Sequence, residues 1–178
     1  LIDGADSTRP SSTMAKRLPT FCAVTLAKVA ADDTAPGYHV NLQIEIRNTG
    51  QKAKSVVYQL DGPTGLPIEG AWYANKISRN WGGSGLRDVV YRYTGKDPGE
   101  IGCSAIADDT AKSPAAENVP LGFVAVDAQY FASAIIPQYG DVDDLWFNEL
   151  IPLRVGTVPE DKNAKKITDV TFRLVVIA

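Results

Sequence analysis

Alternation of apolar and polar residues is the clearest signal in the sequence. It centres on residues 122–137, GFVAVDAQYFASAIIP, where Asp127 is the only charged side chain. With a period of two, one side of this run is wholly apolar and the other is mixed. The apolar side comprises Val124, Val126, Ala128, Tyr130, Ala132, Ala134 and Ile136. Because side chains alternate between the two faces of a strand, the run is predicted to be a core element, either one long bent strand or two strands that meet near Ala128.

The same alternation predicts strands along the rest of the chain. Residues 38–48 alternate most regularly. They are followed by a turn at residues 48–51 and a second strand at residues 55–60, and this order predicts a hairpin. Further strands are predicted at residues 20–29, 86–93, 99–107, 145–155 and 170–177. Pro152 lacks the backbone N–H that a central strand donates, so it is predicted to lie on an edge strand or in a bulge.

About eight or nine short strands, separated by short turns and accompanied by little helix, predict an all-β fold, an antiparallel β-sandwich. Its core is predicted to include Val40, Leu42, Ile44, Tyr130 and Phe172. A length of 178 residues predicts a single domain over residues 1–178. Residues 1–19, rich in Ser, Thr, Pro and Asp, are predicted to be an irregular lead-in.

Net charge and hydropathy indicate whether the chain is expected to bind nucleic acid or to span a membrane. The formal net charge is -3 and the isoelectric point is near 5.1, so no basic surface for nucleic acid is expected. The sequence has no apolar run of about 18 residues, so this chain is not expected to span a membrane itself. It has neither an initiator methionine nor the pattern of a signal peptide, and we expect it to be a fragment of a longer protein.

Residues that commonly carry chemistry are few. His39 is the only histidine, which excludes a mechanism with two imidazoles, and its place on the polar side of a strand predicts a solvated side chain. Cys22 and Cys103 are the only cysteines and have no metal-binding spacing. Two buried thiols are favoured over a disulfide. With neither a GxSxG elbow nor a DxDxDG loop, the sequence predicts no catalytic residue, no cofactor and no metal.

Three residues are candidates for a groove or cleft. Trp72 and Trp81 have aromatic faces on which a sugar can stack, although packing in the core is the simpler explanation for these tryptophans. Asp127 interrupts an apolar run, and a carboxylate there must be paired, hydrogen-bonded or exposed to water. A solvent-facing position is favoured for Asp127 over a catalytic one.

Residues 122–137 resemble a segment near the end of the large periplasmic domain of the bacterial YidC membrane-protein insertases, of the YidC/Oxa/Alb family. The resemblance is carried by Gly122, Val124, Ala125, Gln129, Tyr130, Phe131, Ala134, Ile136 and Pro137. The sequence departs from the family at Phe123, where tryptophan is usual, at Asp127, where an apolar residue is usual, and at Ile135, where an aromatic is common. It therefore resembles a divergent member of the family.

Two further stretches support the resemblance. Residues 38–51, YHVNLQIEIRNTGQ, are similar to a strand and turn of the same family, and residues 58–67, YQLDGPTGLP, resemble members of the planctomycete type. The resemblance implies a β-supersandwich, related in fold to galactose mutarotases, on the periplasmic face of the bacterial inner membrane. The full-length protein is then expected to cross that membrane several times.

The function that the resemblance implies is non-enzymatic. The family's periplasmic domain is a module of an insertase that assists the insertion and folding of membrane-protein clients, with contacts to the SecDF part of the Sec translocon. No catalytic residue carries over, and the motif residues are expected to be structural: Gly122, Gln129, Tyr130, Phe131 and Pro137. The alternative is a carbohydrate-binding or mutarotase-like β-sandwich protein, although a mutarotase mechanism would need a suitably placed histidine acid.

Overall fold

A computed structural model describes most of the predicted strands. The described residues are 20–28, 39–68, 87–115, 119–128, 130–138, 147–157 and 168–177. Backbone contacts group the chain into two compact units, Leu1–Lys54 and Ser55–Ala178, and a single domain over residues 1–178 stays a prediction. The predicted lead-in at residues 1–19 lies outside the described residues, as do Trp72, Trp81 and Gln129.

Strands make up most of the described chain. They are β1 (Thr20–Lys28), β2 (Val40–Asn48), β3 (Val57–Asp61), β4 (Asp88–Tyr93), β5 (Gly99–Ile101), β6 (Leu121–Asp127), β7 (Ala132–Ile135), β8 (Glu149–Val155) and β9 (Asp169–Ile177), with one short helix in the described residues, α1 (Cys103–Ala107). All described strand pairs are antiparallel. The prediction of an all-β, antiparallel and sandwich-like fold with little helix is therefore confirmed.

The first unit contains a two-stranded hairpin. β1 pairs with β2 from Thr20 opposite Asn48 to Lys28 opposite Val40. Val40 and Leu42 are exposed and Ile44 is only half-buried, so the prediction that these three residues lie in the core is wrong. Pairing with β1 satisfies the backbone groups along one edge of β2 but covers neither face of the strand, and burial of side chains requires a second layer.

The predicted hairpin between residues 38–48 and 55–60 is also wrong. The turn between them forms, because the Asn48 side chain accepts a hydrogen bond from Gly50 N at 2.9 Å and donates one to Lys52 O at 2.8 Å. However, β3 pairs with β9, not with β2. β9 offers a more apolar neighbour, in which Leu174 lies directly opposite Leu60. Alternation in β3 predicts its apolar side correctly but does not determine which strand it joins.

The second unit contains two sheets. One has the strand order β3-β9-β8 and the other has the order β5-β4-β6-β7. Phe172 on the central strand β9 is completely buried, which confirms its predicted place in the core. Phe172 belongs to a buried apolar cluster that joins both sheets and the helix α1. The other members of this cluster are Val89, Ile101, Cys103, Ile106, Leu121, Val124, Val126, Leu150, Val170 and Leu174. The strand β8 lies at an edge of its sheet, as Pro152 predicts.

The central run of the sequence forms two strands, the second of the predicted alternatives. Ala128 N donates a hydrogen bond to Phe131 O at 2.8 Å, and Phe131 N donates one to Ala128 O at 3.2 Å. This reciprocal pair closes a two-residue turn between β6 and β7. The two strands then pair along their length, with Val124 opposite Ile135 and Val126 opposite Ser133.

The prediction that Tyr130 lies in the core is wrong, because this side chain is 58% exposed. A two-residue turn places even-numbered residues of β6 on the same side of the sheet as odd-numbered residues of β7. Val124 and Val126 therefore face the core, whereas Ala132 and Ala134 on β7 are exposed. The stripe that looks continuous in the sequence changes sides at the turn, and Tyr130 lies in that turn.

Two buried threonines predict opposite effects of the same substitution. Thr171 Oγ1 is buried and has no hydrogen-bond partner among the described residues, whereas Thr168 Oγ1 donates to Val155 O at 2.8 Å. An unsatisfied buried hydroxyl is destabilising, so Thr171→Val is expected to raise the free energy of unfolding by about 1 kcal/mol. Thr168→Val is expected to lower it by about 1 kcal/mol. Urea denaturation measures both, and a shift in the same direction for both variants would contradict this account.

Candidate functional site

Gly122, the first residue of the family-like motif, occupies a β-bulge. In the pairing of β4 with β6, Arg92 lies opposite Phe123 but Tyr93 lies opposite Leu121, which leaves Gly122 as an additional residue. A Cβ atom at position 122 would lie 3.2 Å from the carbonyl oxygen of Arg92, closer than an ordinary van der Waals contact. The close approach of the β4 backbone accounts for a glycine at this position.

The other end of the motif exposes apolar side chains on both sides of the sheet, and we call these residues the hairpin patch. Its members, all exposed, are Tyr130, Phe131, Ala132, Ala134 and Ile136. Phe131 is 53% exposed, and β7 lies at the edge of the four-stranded sheet. Pro137, which is half-buried, follows directly after the patch and has no backbone N–H with which to extend the ladder. Large apolar side chains that are exposed next to each other, as at Tyr130 and Phe131, also occur at interaction surfaces.

Asp127 ends β6 and is exposed, which confirms the predicted solvent-facing position. It lies directly opposite Asp88 on β4. Asp88 is half-buried, and its Oδ1 accepts a hydrogen bond from Cys103 N at 2.6 Å, at the start of α1. Burial is the main influence on Asp88 and raises the pKa of its carboxyl, the hydrogen bond from Cys103 acts against this rise, and the charge of Asp127 adds to it.

Asp88 was missed by the sequence reasoning. It stands beside Arg87 at the start of a predicted strand, a common position for a solvated charge. Its relation to Asp127 depends on the register of β4 against β6, and a strand pattern does not specify register across a long loop. The acidic pair therefore becomes visible only in the folded structure.

The two cysteines differ in their surroundings, and both are free. Cys103 is buried, and its Sγ donates to Thr168 O at 3.5 Å. Burial raises the pKa of this thiol, which disfavours the reactive thiolate. Cys22 on β1 is exposed. The prediction of two buried thiols is thus confirmed for Cys103 and wrong for Cys22.

A second polar cluster holds the loop after β3. Gly65 N donates to Asp169 Oδ2 at 2.7 Å, and Arg87 Nε donates to Leu66 O at 2.6 Å. Arg87 Nε also lies 3.4 Å from Asp169 Oδ1, and both side chains are largely buried. These contacts join the loop, β4 and β9, and every polar group named has a partner within the protein. The cluster therefore accounts for a fixed loop conformation without a ligand.

The remaining candidates give no further site. His39 precedes β2 and is exposed, as predicted. Trp72, Trp81 and Gln129 lie outside the described residues, so a cleft lined by the tryptophans stays a prediction. The described part of the chain contains no group of three or more His, Cys, Asp or Glu side chains that would hold a metal ion. In the same residues, no helix combines the length and the apolar character of a transmembrane span.

Comparisons with known proteins do not assign the chain to a family. No family model matches the sequence. No curated protein shows significant similarity to it, and no solved structure does. The likeness of residues 122–137 to an insertase segment and the finer relation to the β-supersandwich therefore stay predictions.

The exposure of the hairpin patch predicts small effects on stability. Tyr130→Ala and Phe131→Ala are each expected to lower the free energy of unfolding by less than about 1 kcal/mol, as substitutions on a protein surface usually do. Val124→Ala, in the buried part of the same hairpin, is expected to cost about 2 kcal/mol or more. Urea melts of the three variants test this order. If either aromatic variant loses as much free energy of unfolding as Val124→Ala, the aromatic side chains at the turn between β6 and β7 are packed and not exposed.

Proposed function

We propose that this chain is a non-catalytic periplasmic module of a YidC-type insertase of the bacterial inner membrane. In this role it assists the insertion and folding of membrane-protein clients through contacts with the Sec translocon, in particular its SecDF part. The observation that carries the proposal is the hairpin of β6 and β7. Residues 122–137, which bear the likeness to the family, form this one structural unit, and its tip exposes Tyr130 and Phe131.

The structure divides the motif between packing and surface. Gly122 is required by the bulge, and Val124 is completely buried in the core. Tyr130 and Phe131 are each more than half exposed, so a large part of both aromatic side chains is accessible to a partner. Aromatic side chains are enriched at protein interfaces because they bury a large area at a small cost in conformational entropy. A role in partner contact is consistent with this arrangement.

The reading frame around the chain gives the first test. We expect the reading frame to encode one transmembrane helix upstream of the chain and about five downstream. Each of these helices is expected to contain about 20 apolar residues, the number that spans a bilayer. An open reading frame that encodes no transmembrane helix on either side would overturn the proposal.

Site-specific crosslinking gives the second test, in the full-length protein and in membranes that contain the translocon. A photoreactive amino acid at Phe131 is expected to capture a SecDF component. The matched control is Val57 on β3, which is 61% exposed and belongs to the other sheet. Capture of the same component with equal yield at Val57 would show that the hairpin patch is not the contact surface.

An assay of sugar chemistry separates the proposal from the carbohydrate alternative. We expect no catalysis of galactose anomerisation, because the only histidine, His39, is exposed and a mutarotase mechanism needs an acid and a base that face each other. Anomerisation that is measurable by polarimetry and is abolished by His39→Ala would favour the alternative and contradict the proposed function.

A further inference from the structure

Two aspartates occupy directly opposite positions at the end of the four-stranded sheet where the hairpin patch begins. Asp88 on β4 and Asp127 on β6 are direct cross-strand partners. Like charges in directly opposite positions destabilise a pair of strands. Asp127 is the last residue of β6, and the turn follows at once, because Ala128 forms the reciprocal hydrogen-bonded pair with Phe131. The repulsion therefore acts at the strand end that supports the turn.

The groups around this pair do not neutralise it. On β5, Glu100 lies opposite Val90, on the same side of the sheet as Asp88. On α1, Cys103 contributes its backbone N–H to Asp88, and its thiol is directed to Thr168 O. On β7, the residue opposite Asp127 is the apolar Ala132.

The nearest cation in the sequence is engaged elsewhere. Arg87 precedes Asp88, but its guanidinium donates to Leu66 O and lies beside Asp169 on β9. Among the described residues, neither Asp88 nor Asp127 forms a salt bridge. The pair is therefore two like charges, one half-buried and one exposed, held together by strand register.

We propose that Asp88 and Asp127 form a proton-responsive latch for the β6–β7 hairpin. At neutral pH their two negative charges weaken the end of the strand pair, and protonation of Asp88 in mild acid strengthens it. The turn that carries Tyr130 and Phe131 is then held more firmly in acid than at neutral pH. The latch follows from the strand register and does not depend on the proposed function.

The direction of the effect follows from proton linkage. Burial, with a smaller contribution from Asp127, raises the pKa of Asp88 above its ordinary value of 3.8. The folded state therefore binds this proton more readily than the unfolded state. The stabilisation is complete below 3.8 and is lost as the pH rises through the raised value in the folded protein.

The pKa of another carboxyl group is shifted in the opposite direction. The hydrogen bond from Arg173 lowers the pKa of Asp61 below its ordinary value of 3.8. Its stabilising effect is present above 3.8 and is lost only as the pH falls through the lowered value. Measurements between about pH 4 and pH 7, above the ordinary range of aspartate, therefore report on Asp88 with little contribution from Asp61.

Hydrogen exchange of the turn tests the latch. The probes are the amides of Ala128 and Phe131, with protection factors corrected for the intrinsic dependence of exchange on pH. At pH 7, Asp127→Asn is expected to raise their protection about two- to fivefold relative to the unsubstituted chain, the range that a cross-strand like-charge pair allows. The difference in protection between the two proteins is expected to shrink as the pH is lowered towards 4, because the pKa of Asp88 is raised. Asp97→Asn is the matched control, because Asp97 is exposed in the loop between β4 and β5.

A second measurement observes the titration itself. By NMR, the midpoint of the Asp88 carboxyl is expected to shift to lower pH in Asp127→Asn and to stay unchanged in Asp97→Asn. Asp127 is exposed, so its replacement by the isosteric amide leaves the fold intact, which circular dichroism verifies. Equal protection of the turn at pH 7 in Asp127→Asn and the unsubstituted chain would overturn the proposal. An equal gain at pH 4 and at pH 7, or an unshifted Asp88 midpoint, would overturn it as well.

Discussion

Phe172→Ala is expected to lower the free energy of unfolding by about 3–5 kcal/mol, the usual cost of removing a buried aromatic side chain. Phe172 is completely buried on the central strand of the three-stranded sheet, in the cluster that joins both sheets of the second unit. The loss is a large part of the stability of about 5–15 kcal/mol that is typical of natural domains. Equilibrium urea denaturation measures it.

The control for this prediction is Val57→Ala on the neighbouring strand β3. Val57 is 61% exposed, so its truncation is expected to change the free energy of unfolding by about 0.5 kcal/mol or less. A cost for Phe172→Ala that is as small as the cost for Val57→Ala would show that the core is not organised around β9.

Gly62→Ala is expected to lower the free energy of unfolding by about 1–3 kcal/mol, the usual cost of overpacking a core. A Cβ atom at position 62 would lie 2.6 Å from Cε1 and Cζ of the Phe172 ring. The loop has little freedom to retreat, because Gly62 N donates to Phe172 O at 2.8 Å. The matched control is Gly102→Ala, where the nearest atom, Asp88 Oδ1, is 3.9 Å from the added Cβ.

A double-mutant cycle tests whether the ring is the cause. In the Phe172→Ala background the ring is absent, so Gly62→Ala is expected to add little further loss. The coupling free energy between the two substitutions should then account for most of the cost of Gly62→Ala alone, within the range of about 0.5–3 kcal/mol found for residues in contact. Additive costs would place the strain of Gly62→Ala somewhere other than the Phe172 ring.

Local alternation determined the kind of structure this chain forms. The strands β1, β2, β4 and β9 lie where the period-two pattern predicts them. The edge position of Pro152 and the exposure of Asp127 were also predicted correctly. In each case the physical reason is local. A period-two pattern, a missing backbone N–H or an unpaired charge restricts the conformation and the burial of its own segment, whichever strand that segment pairs with.

Pairing and register were decided only by the tertiary structure. β3 joins β9 and not β2, and the opposition of Asp88 and Asp127 depends on how β4 aligns with β6. The length of one turn decides the position of Tyr130, since a two-residue turn moves the apolar stripe from the inner face of β6 to the outer face of β7. The contact between Gly62 and Phe172 likewise joins distant parts of the chain. The sequence thus predicted most of the strands, although Cys103–Ala107 of the predicted strand at residues 99–107 forms the helix α1. The burial gained by packing two sheets determined which residues meet.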